Sequence, residues 1–428
     1  MITLSLLCLI QFLLVLYCLY INRKINIILI FLIGLLFYIP LPSIVNFLNH
    51  EKFQAFFPQY NYSEDKIFEI LFISNIYLFF FFLGFVIAQS IPAKKFKKSY
   101  MIKDEVLATI TIIFLFLAVL ERYFIQIIPY IKNGIILFIL SVILFDRKLS
   151  KTNFKNKKLY FYLLLFLSIV IFVIFFSSSR RDILNIFFIC LIYIFLNRKK
   201  YISEINYFNF AIFIPIIIII TYISLSFIIF KRSDHLHVDI DFFSFEFFSL
   251  FINYLKTTSL IYSIFAYADY LTGFENFKFI IQNDQLLNGS SFLKVFFAPI
   301  PRELWPEKPY DVQHLIVQLY QNPFVGGTSQ SITFFGEIYW NFKLIFGSLV
   351  VFMFGFIFNR IERLFNLNSE IHLINYLYIS FSFFEIWRGG FSTQIIYILI
   401  NLVFLNLLIY LFNLKKINRY FSFKKNKE

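Results

Sequence analysis

Three arginine-bearing turns and one carboxylate are the residues best placed to do chemistry. Ser177-Ser178-Ser179-Arg180-Arg181-Asp182 sets two guanidiniums in a tight turn between strongly apolar runs. Two readings fit it: Asp182 caps the next helix while the arginines anchor the interface, or the arginines bind phosphate at the helix start. In the second place, Pro299, Pro301, Pro306 and Pro309 stiffen the segment that carries Arg302, Glu303, Trp305 and Lys308. A backbone so restricted loses little freedom when a ligand binds. Trp beside Arg suits a sugar face and an anionic group, or an anchor at headgroup level. The third is Glu385-Ile386-Trp387-Arg388-Gly389-Gly390, whose glycines admit close approach of the backbone. Glu337, in Gly336-Glu337-Ile338-Tyr339-Trp340-Asn341-Phe342, enters an apolar run. A carboxylate there needs a cation, water or a proton-transfer role.

These residue types match displacement of a phosphate leaving group. Arg180, Arg302 and Arg388, helped by Arg181 and Lys308, would stabilise growing negative charge without a metal. Glu337 is the first choice to accept a hydroxyl proton, with Glu303 or His314 behind it, and an ion pair to an arginine is the competing role for Glu337. Trp305, Tyr339 and Trp387 would stack on sugar rings. No metal and no cofactor is expected. His50, His235, His237, His314 and His372 form no H-x-x-x-H or H-E-x-x-H set. Cys8, Cys18 and Cys190 lie in apolar runs without C-x-x-C spacing. A Walker loop and G-x-G-x-x-G are absent, and Asp239-Ile240-Asp241 falls in a predicted outer loop, where nucleotide sugars are lacking.

The elements that must position these residues follow from composition. Of 428 residues, 60% are hydrophobic and 15% charged, whereas a soluble chain keeps about a quarter charged. That excludes a soluble multidomain enzyme, a disulfide scaffold and a disordered chain. The predicted class is an all-α polytopic membrane protein. Apolar runs predict eleven spans, near 2–21, 25–42, 67–91, 106–122, 129–145, 159–176, 183–196, 207–230, 333–358, 371–387 and 394–412. The first run, Ile2 to Ile21, reads as a retained span, since it lacks a basic n-region and a small-residue cleavage site. The net charge of +14 invites a nucleic-acid reading, yet 24 of the 39 Lys and Arg fall in short segments that alternate with the rest. Such clustering marks cytoplasmic loops, so no nucleic-acid partner is expected, and the C-terminus lies in the cytoplasm. Residues 231–332 are expected to form one large outer loop with short helices, of which 243–270 packs at the outer interface or over the mouth of the bundle. The whole of 1–428 is expected to be one integral domain.

With these motifs in place, the chain resembles the bacterial oligosaccharide repeat-unit polymerases of the O-antigen polymerase (Wzy) type. Pro301-Arg302, Trp305-Pro306, Lys308-Pro309 and the Gly336–Phe342 run carry the resemblance. Ser177–Arg180 resembles the family's S-G-S-R turn, with Ser178 where the family has glycine, and Arg388-Gly389 resembles its late arginine turn. The resemblance covers about 177 to 412, and the first half agrees only in hydropathy. It implies a fold like the GT-C lipid-donor glycosyltransferases and a location in the bacterial inner membrane with the site facing the periplasm. It implies transfer of a glycan from undecaprenyl pyrophosphate to a sugar hydroxyl of another lipid-linked repeat unit, building O-antigen or capsule. The implied partners are that lipid-linked oligosaccharide, membrane lipid and a chain-length regulator protein. An O-antigen ligase and a lipid-linked oligosaccharide flippase are the alternative readings, and a membrane acyltransferase a more distant one.

Overall fold

Once water is excluded, an apolar run of some twenty residues can satisfy its backbone only within itself, so helix is the expected form. The computed structural model describes residues 6–14, 27–48, 64–92, 102, 104–123, 140, 142–143, 245–257, 269–283, 286–297, 300, 304–308, 310–320, 330–365, 367 and 369–425. Among them the regular elements are helices, and the one bridge joins Ile332 and Gly389. We number the helices α1 (Ile27–Tyr38), α2 (Pro40–Leu48), α3 (Glu64–Ser90), α4 (Asp104–Tyr123), α5 (Phe245–Thr257), α6 (Asp269–Gln282), α7 (Ser290–Phe297), α8 (Val312–Tyr320), α9 (Phe334–Leu364), α10 (Glu370–Gly389) and α11 (Phe391–Lys425). Four stretches among the described residues are long and apolar enough to cross a membrane: Ile27–Ile44, Asp65–Ser90, Phe334–Leu364 and Phe391–Leu411. The chain is an all-α membrane protein. The spans expected at 159–176, 183–196 and 207–230 lie outside the described residues, and of 129–145 only 140, 142 and 143 are described, as helix.

The chain divides into two compact units, one of Met1–Met101 with Asp269–Asn406, the other of Ile102–Ala268 with Leu407–Glu428. In the second unit, α4 buries Val106, Leu107, Ile110 and Phe114 while Ile112 and Phe116 stay exposed. Its α5 has 13 residues, too few to span alone.

The first unit is built around α10, which is buried on all sides from Glu370 to Gly389 apart from single partly exposed positions. Near the C-terminal end of that helix, Trp387 is wholly buried against the rings of Phe31, Phe334 and Phe335. Its indole Nε1 donates to the Phe31 carbonyl at 2.8 Å. Alongside, α3 and α9 approach backbone to backbone. A Cβ on Gly84 would overlap the Phe352 carbonyl, and one on Gly355 the Phe81 carbonyl. Small residues at such a crossing let two membrane helices meet closely.

The far end of α9 fastens three neighbours by charge. Arg363 Nη1 donates to the carbonyls of Ala88, Gln89 and Ile91, and Arg360 Nη1 to those of Ile91 and Pro92. These are the unpaired carbonyls at the C-terminus of α3, where cations are favoured. Glu362 accepts from the Ile27 amide at 3.0 Å, at the start of α1, and from the Tyr376 hydroxyl of α10. The start of α1 and the ends of α3 and α9 therefore meet.

Near its other end α9 is broken. Lys343 has φ 50° and ψ −165°, a region in which a side chain is strained, so Phe334–Phe342 and Leu344–Leu364 are separate helical segments. The carbonyls freed by the break are taken up elsewhere. Tyr77 donates its hydroxyl to the Lys343 carbonyl at 2.8 Å, and the Leu287 amide donates to that of Trp340 at 3.1 Å.

Candidate functional site

The break in α9 places a short helical segment, rather than the long span, against the helices that precede it. On that segment Glu337 and Asn341 are one turn apart and share a face. Glu337 is fully buried, and its carboxylate reaches the start of α11. It accepts the amide of Phe391 and, at 3.3 Å, that of Ser392, and Ser291 of α7 donates its hydroxyl at 2.9 Å. Asn341 Nδ2 donates to Ser291 Oγ and to the Glu337 carbonyl, both at 2.8 Å. Its Oδ1 meets no hydrogen-bond donor among the described residues, which leaves one buried acceptor beside the carboxylate. Glu337 thus caps the first turn of a helix more than fifty residues away in sequence. Negative charge is favoured there, because the amides of a first turn lack carbonyl partners.

This cap fixes the late arginine turn. Gly390 has φ 73°, and a Cβ on it would stand 2.6 Å from Glu337 Oε2. The Arg388 carbonyl accepts the Ile332 amide at 3.2 Å and Gln313 Nε2 at 3.4 Å. The half-buried Arg388 side chain is therefore carried on a backbone pinned from both flanks.

Beside the cap lies a second polar group, held by α7, α8 and α11. Lys294 of α7 pairs with Asp311, which also accepts the Thr393 hydroxyl at 3.4 Å. The other oxygen of Asp311 faces His314 Nδ1 at 3.8 Å. Asp311 and His314 keep 29% of their side-chain surface exposed, whereas Lys294 keeps 9%, so the group opens at its carboxylate–imidazole edge. Further along the connecting segment, α6 holds a buried pair, Glu275 and Lys278, 3.9 Å apart. Burial pulls the Lys278 ammonium below the usual lysine range, and Glu275 opposes that pull.

The sequence-predicted residues separate into three groups. Glu337, Arg388 and His314 converge around the first turn of α11, through Ser392 and Thr393. Trp305, Lys308 and Tyr339 serve nearby packing. Lys308 donates to the Ile300 carbonyl at 2.8 Å, Trp305 meets the Phe297 ring edge-on at 5.3 Å, and Lys343 Nζ lies 5.1 Å from the Tyr339 ring centre. Arg180, Arg181, Arg302 and Glu303 lie outside the described residues.

Geometry bears on two roles. Trp387 was expected to stack on a sugar, but it is 0% exposed, with rings packed about it, and belongs to the core. Glu337, expected to take a proton or pair with an arginine, has its oxygens engaged by helix amides and Ser291, an arrangement that holds the turn. Sequence reading passed over Ser291, Lys294, Asp311, Asn341 and Thr393. The usable signals were Asp311-x-x-His314 at the start of a helix and Glu337-x-x-x-Asn341 on one face. Compared with known protein families, curated proteins and solved structures, the chain has no match.

Proposed function

We propose that this protein is a metal-independent membrane glycosyltransferase that polymerises the repeat units of a bacterial surface polysaccharide. In this reading it takes a glycan from undecaprenyl pyrophosphate on the periplasmic face and joins it to a sugar hydroxyl of a second lipid-linked unit. The observation that carries the reading is the gathering of Lys294, Asp311, His314 and the Arg388 turn about the first turn of α11. Cations and a proton acceptor then stand at one end of the helices, where a lipid-linked substrate presents its headgroup.

The reaction balances simply. The acceptor hydroxyl oxygen bonds to the anomeric carbon as that carbon's bond to the pyrophosphate oxygen breaks. Pyrophosphate leaves with the electron pair, stabilised by Arg388 together with Arg302. His314, whose ring nitrogen faces Asp311, takes the hydroxyl proton. The apolar helices accept the lipid tail without specific contacts. A flippase would need polar groups spread along a central path, so the concentration at one end favours a transferase. A ligase, with the same donor and another acceptor, is the second reading, because the same cationic turn would serve it.

The test is a gel profile of surface glycan from a strain lacking the gene, complemented with wild type, Arg388→Ala, His314→Ala or Arg302→Ala. The expected result is single-repeat glycan in the deletion strain, a ladder restored by wild type and lost in each variant. Unaltered ladders in the deletion strain would end the polymerase reading, and a total loss of surface glycan would point to the flippase or the ligase.

A further inference from the structure

Helix α7 is amphipathic the wrong way round for a protein surface in water. Its polar side chains Ser291 and Lys294 are buried, whereas Leu293, Phe296 and Phe297 are exposed, Phe296 at 77%. Spacings of three and four residues make these two opposite faces of one helix. The apolar face continues beyond the helix through Ile300 and Leu304, the latter 78% exposed. An apolar patch of this kind in contact with water is unusual, and it marks a surface that something apolar covers.

Neighbouring contacts identify what covers it. Phe292 of α7 packs on Phe342 at 5.1 Å and on Phe391 at 5.2 Å, so the helix lies against the break in α9 and the start of α11. Three residues after Phe342 begins the outward stripe of α9, made of Ile345, Phe346, Leu349, Met353 and Ile357. That stripe belongs to a segment long and apolar enough to cross a membrane. The apolar face of α7 therefore lies next to the exposed apolar stripe of a helix long and apolar enough to cross a membrane. Trp305, partly exposed and edge-on to Phe297, supplies an aromatic group of the kind enriched at the membrane–water boundary.

We propose that α7 is embedded in the interfacial layer of the bilayer, with Leu293, Phe296 and Phe297 among the lipid acyl chains and Ser291 and Lys294 turned inward to Glu337 and Asp311. The helix then forms a wall one side chain thick between lipid and the polar group. This goes beyond the proposed reaction and holds whatever chemistry the polar group performs.

The experiment uses the full chain in liposomes of phosphatidylethanolamine and phosphatidylglycerol, with Cys8, Cys18 and Cys190 replaced by alanine. Nitroxide labels are attached at Phe296→Cys, Leu304→Cys and, as the water-facing control, Glu307→Cys. Leu293→Cys substitutes for any labelled variant that does not elute like wild type from gel filtration. Collisions with oxygen, which concentrates in lipid, are compared with those of a nickel chelate, which stays in water. Oxygen is expected to dominate at 296 and 304, and the nickel chelate at 307. Labels at 296 and 304 that meet nickel as the control does would overturn the proposal. So would labels shielded from both reagents, since a protein partner or a second copy would then cover the face.

Discussion

Glu337 illustrates how one buried side chain can decide the shape of a site without touching a substrate. Its carboxylate accepts the first amides of α11 and the Ser291 hydroxyl, and the Gly390 turn leaves room for it. Replacing it with alanine removes a helix cap, about 1 kcal/mol in typical hosts, and strands buried donors at about 1–3 kcal/mol each. Glutamine keeps a carbonyl oxygen for the amides. Glu337→Ala is therefore expected to melt several degrees lower in detergent and to lose polymer ladder, while Glu337→Gln keeps most of both. Equal loss of ladder in the two variants at unchanged melting temperature would return Glu337 to proton transfer. The sequence made this carboxylate conspicuous, since a charge entering an apolar run needs a partner. It did not disclose the partner, because the amides of Phe391 and Ser392 carry no side-chain signature and lie far along the chain. His314 was a candidate from its residue type, whereas its neighbours Asp311 and Lys294 lie on different elements that no local pattern connects.

At the scale of elements, α9 works as a strut whose two ends and middle each meet a neighbour. Glycines on both α3 and α9 allow backbone contact at the crossing, and Arg360, Glu362 and Arg363 secure the far end. Gly355→Leu would drive a side chain into the Phe81 carbonyl and push the helices apart. Overpacking of this kind costs about 1–3 kcal/mol, and the lost α3–α9 contact adds to it. The variant is expected to show a lower melting temperature in detergent than Leu349→Ala on the exposed side of the same helix. Gly355→Ala should fall between them, and no difference between leucine and wild type would contradict the crossing. Hydropathy located α3, α10 and the starts of α9 and α11 to within three residues, because an apolar run must be long enough to cross the bilayer, but it ended α9 at 358 and α11 at 412, short of Leu364 and Lys425. It missed the break at Lys343, where neither proline nor glycine gives a cue. The break is held instead by Tyr77 and Leu287, which no local pattern connects to it.

Across the whole molecule, the distribution of polarity differs from that of a protein in water. Phe68, Phe72, Phe79, Leu83 and Val86 of α3 line one exposed stripe, as do Leu399, Val403 and Leu407 of α11. The helix that is most buried, α10, carries Ser380, Ser382, Tyr376, Tyr378 and Glu385, and it is not among the stretches apolar enough to cross a membrane on composition. Lipid demands apolar side chains only where it touches, and protein neighbours can satisfy hydroxyls inside. Ser380 and Ser382 donate to carbonyls one turn back, and Tyr378 receives from Asn401. The usual rule for surface substitutions should consequently be reversed. Phe79 is 62% exposed, and in water its replacement by aspartate would be nearly neutral. In lipid the same change carries about 2.5–3.5 kcal/mol for a charge near the centre of a span. Phe79→Asp is thus expected to reduce the membrane-integrated fraction after alkaline carbonate extraction by more than does Phe79→Ala. Extraction that is equal for wild type, alanine and aspartate would mean that the stripe of α3 faces something other than lipid.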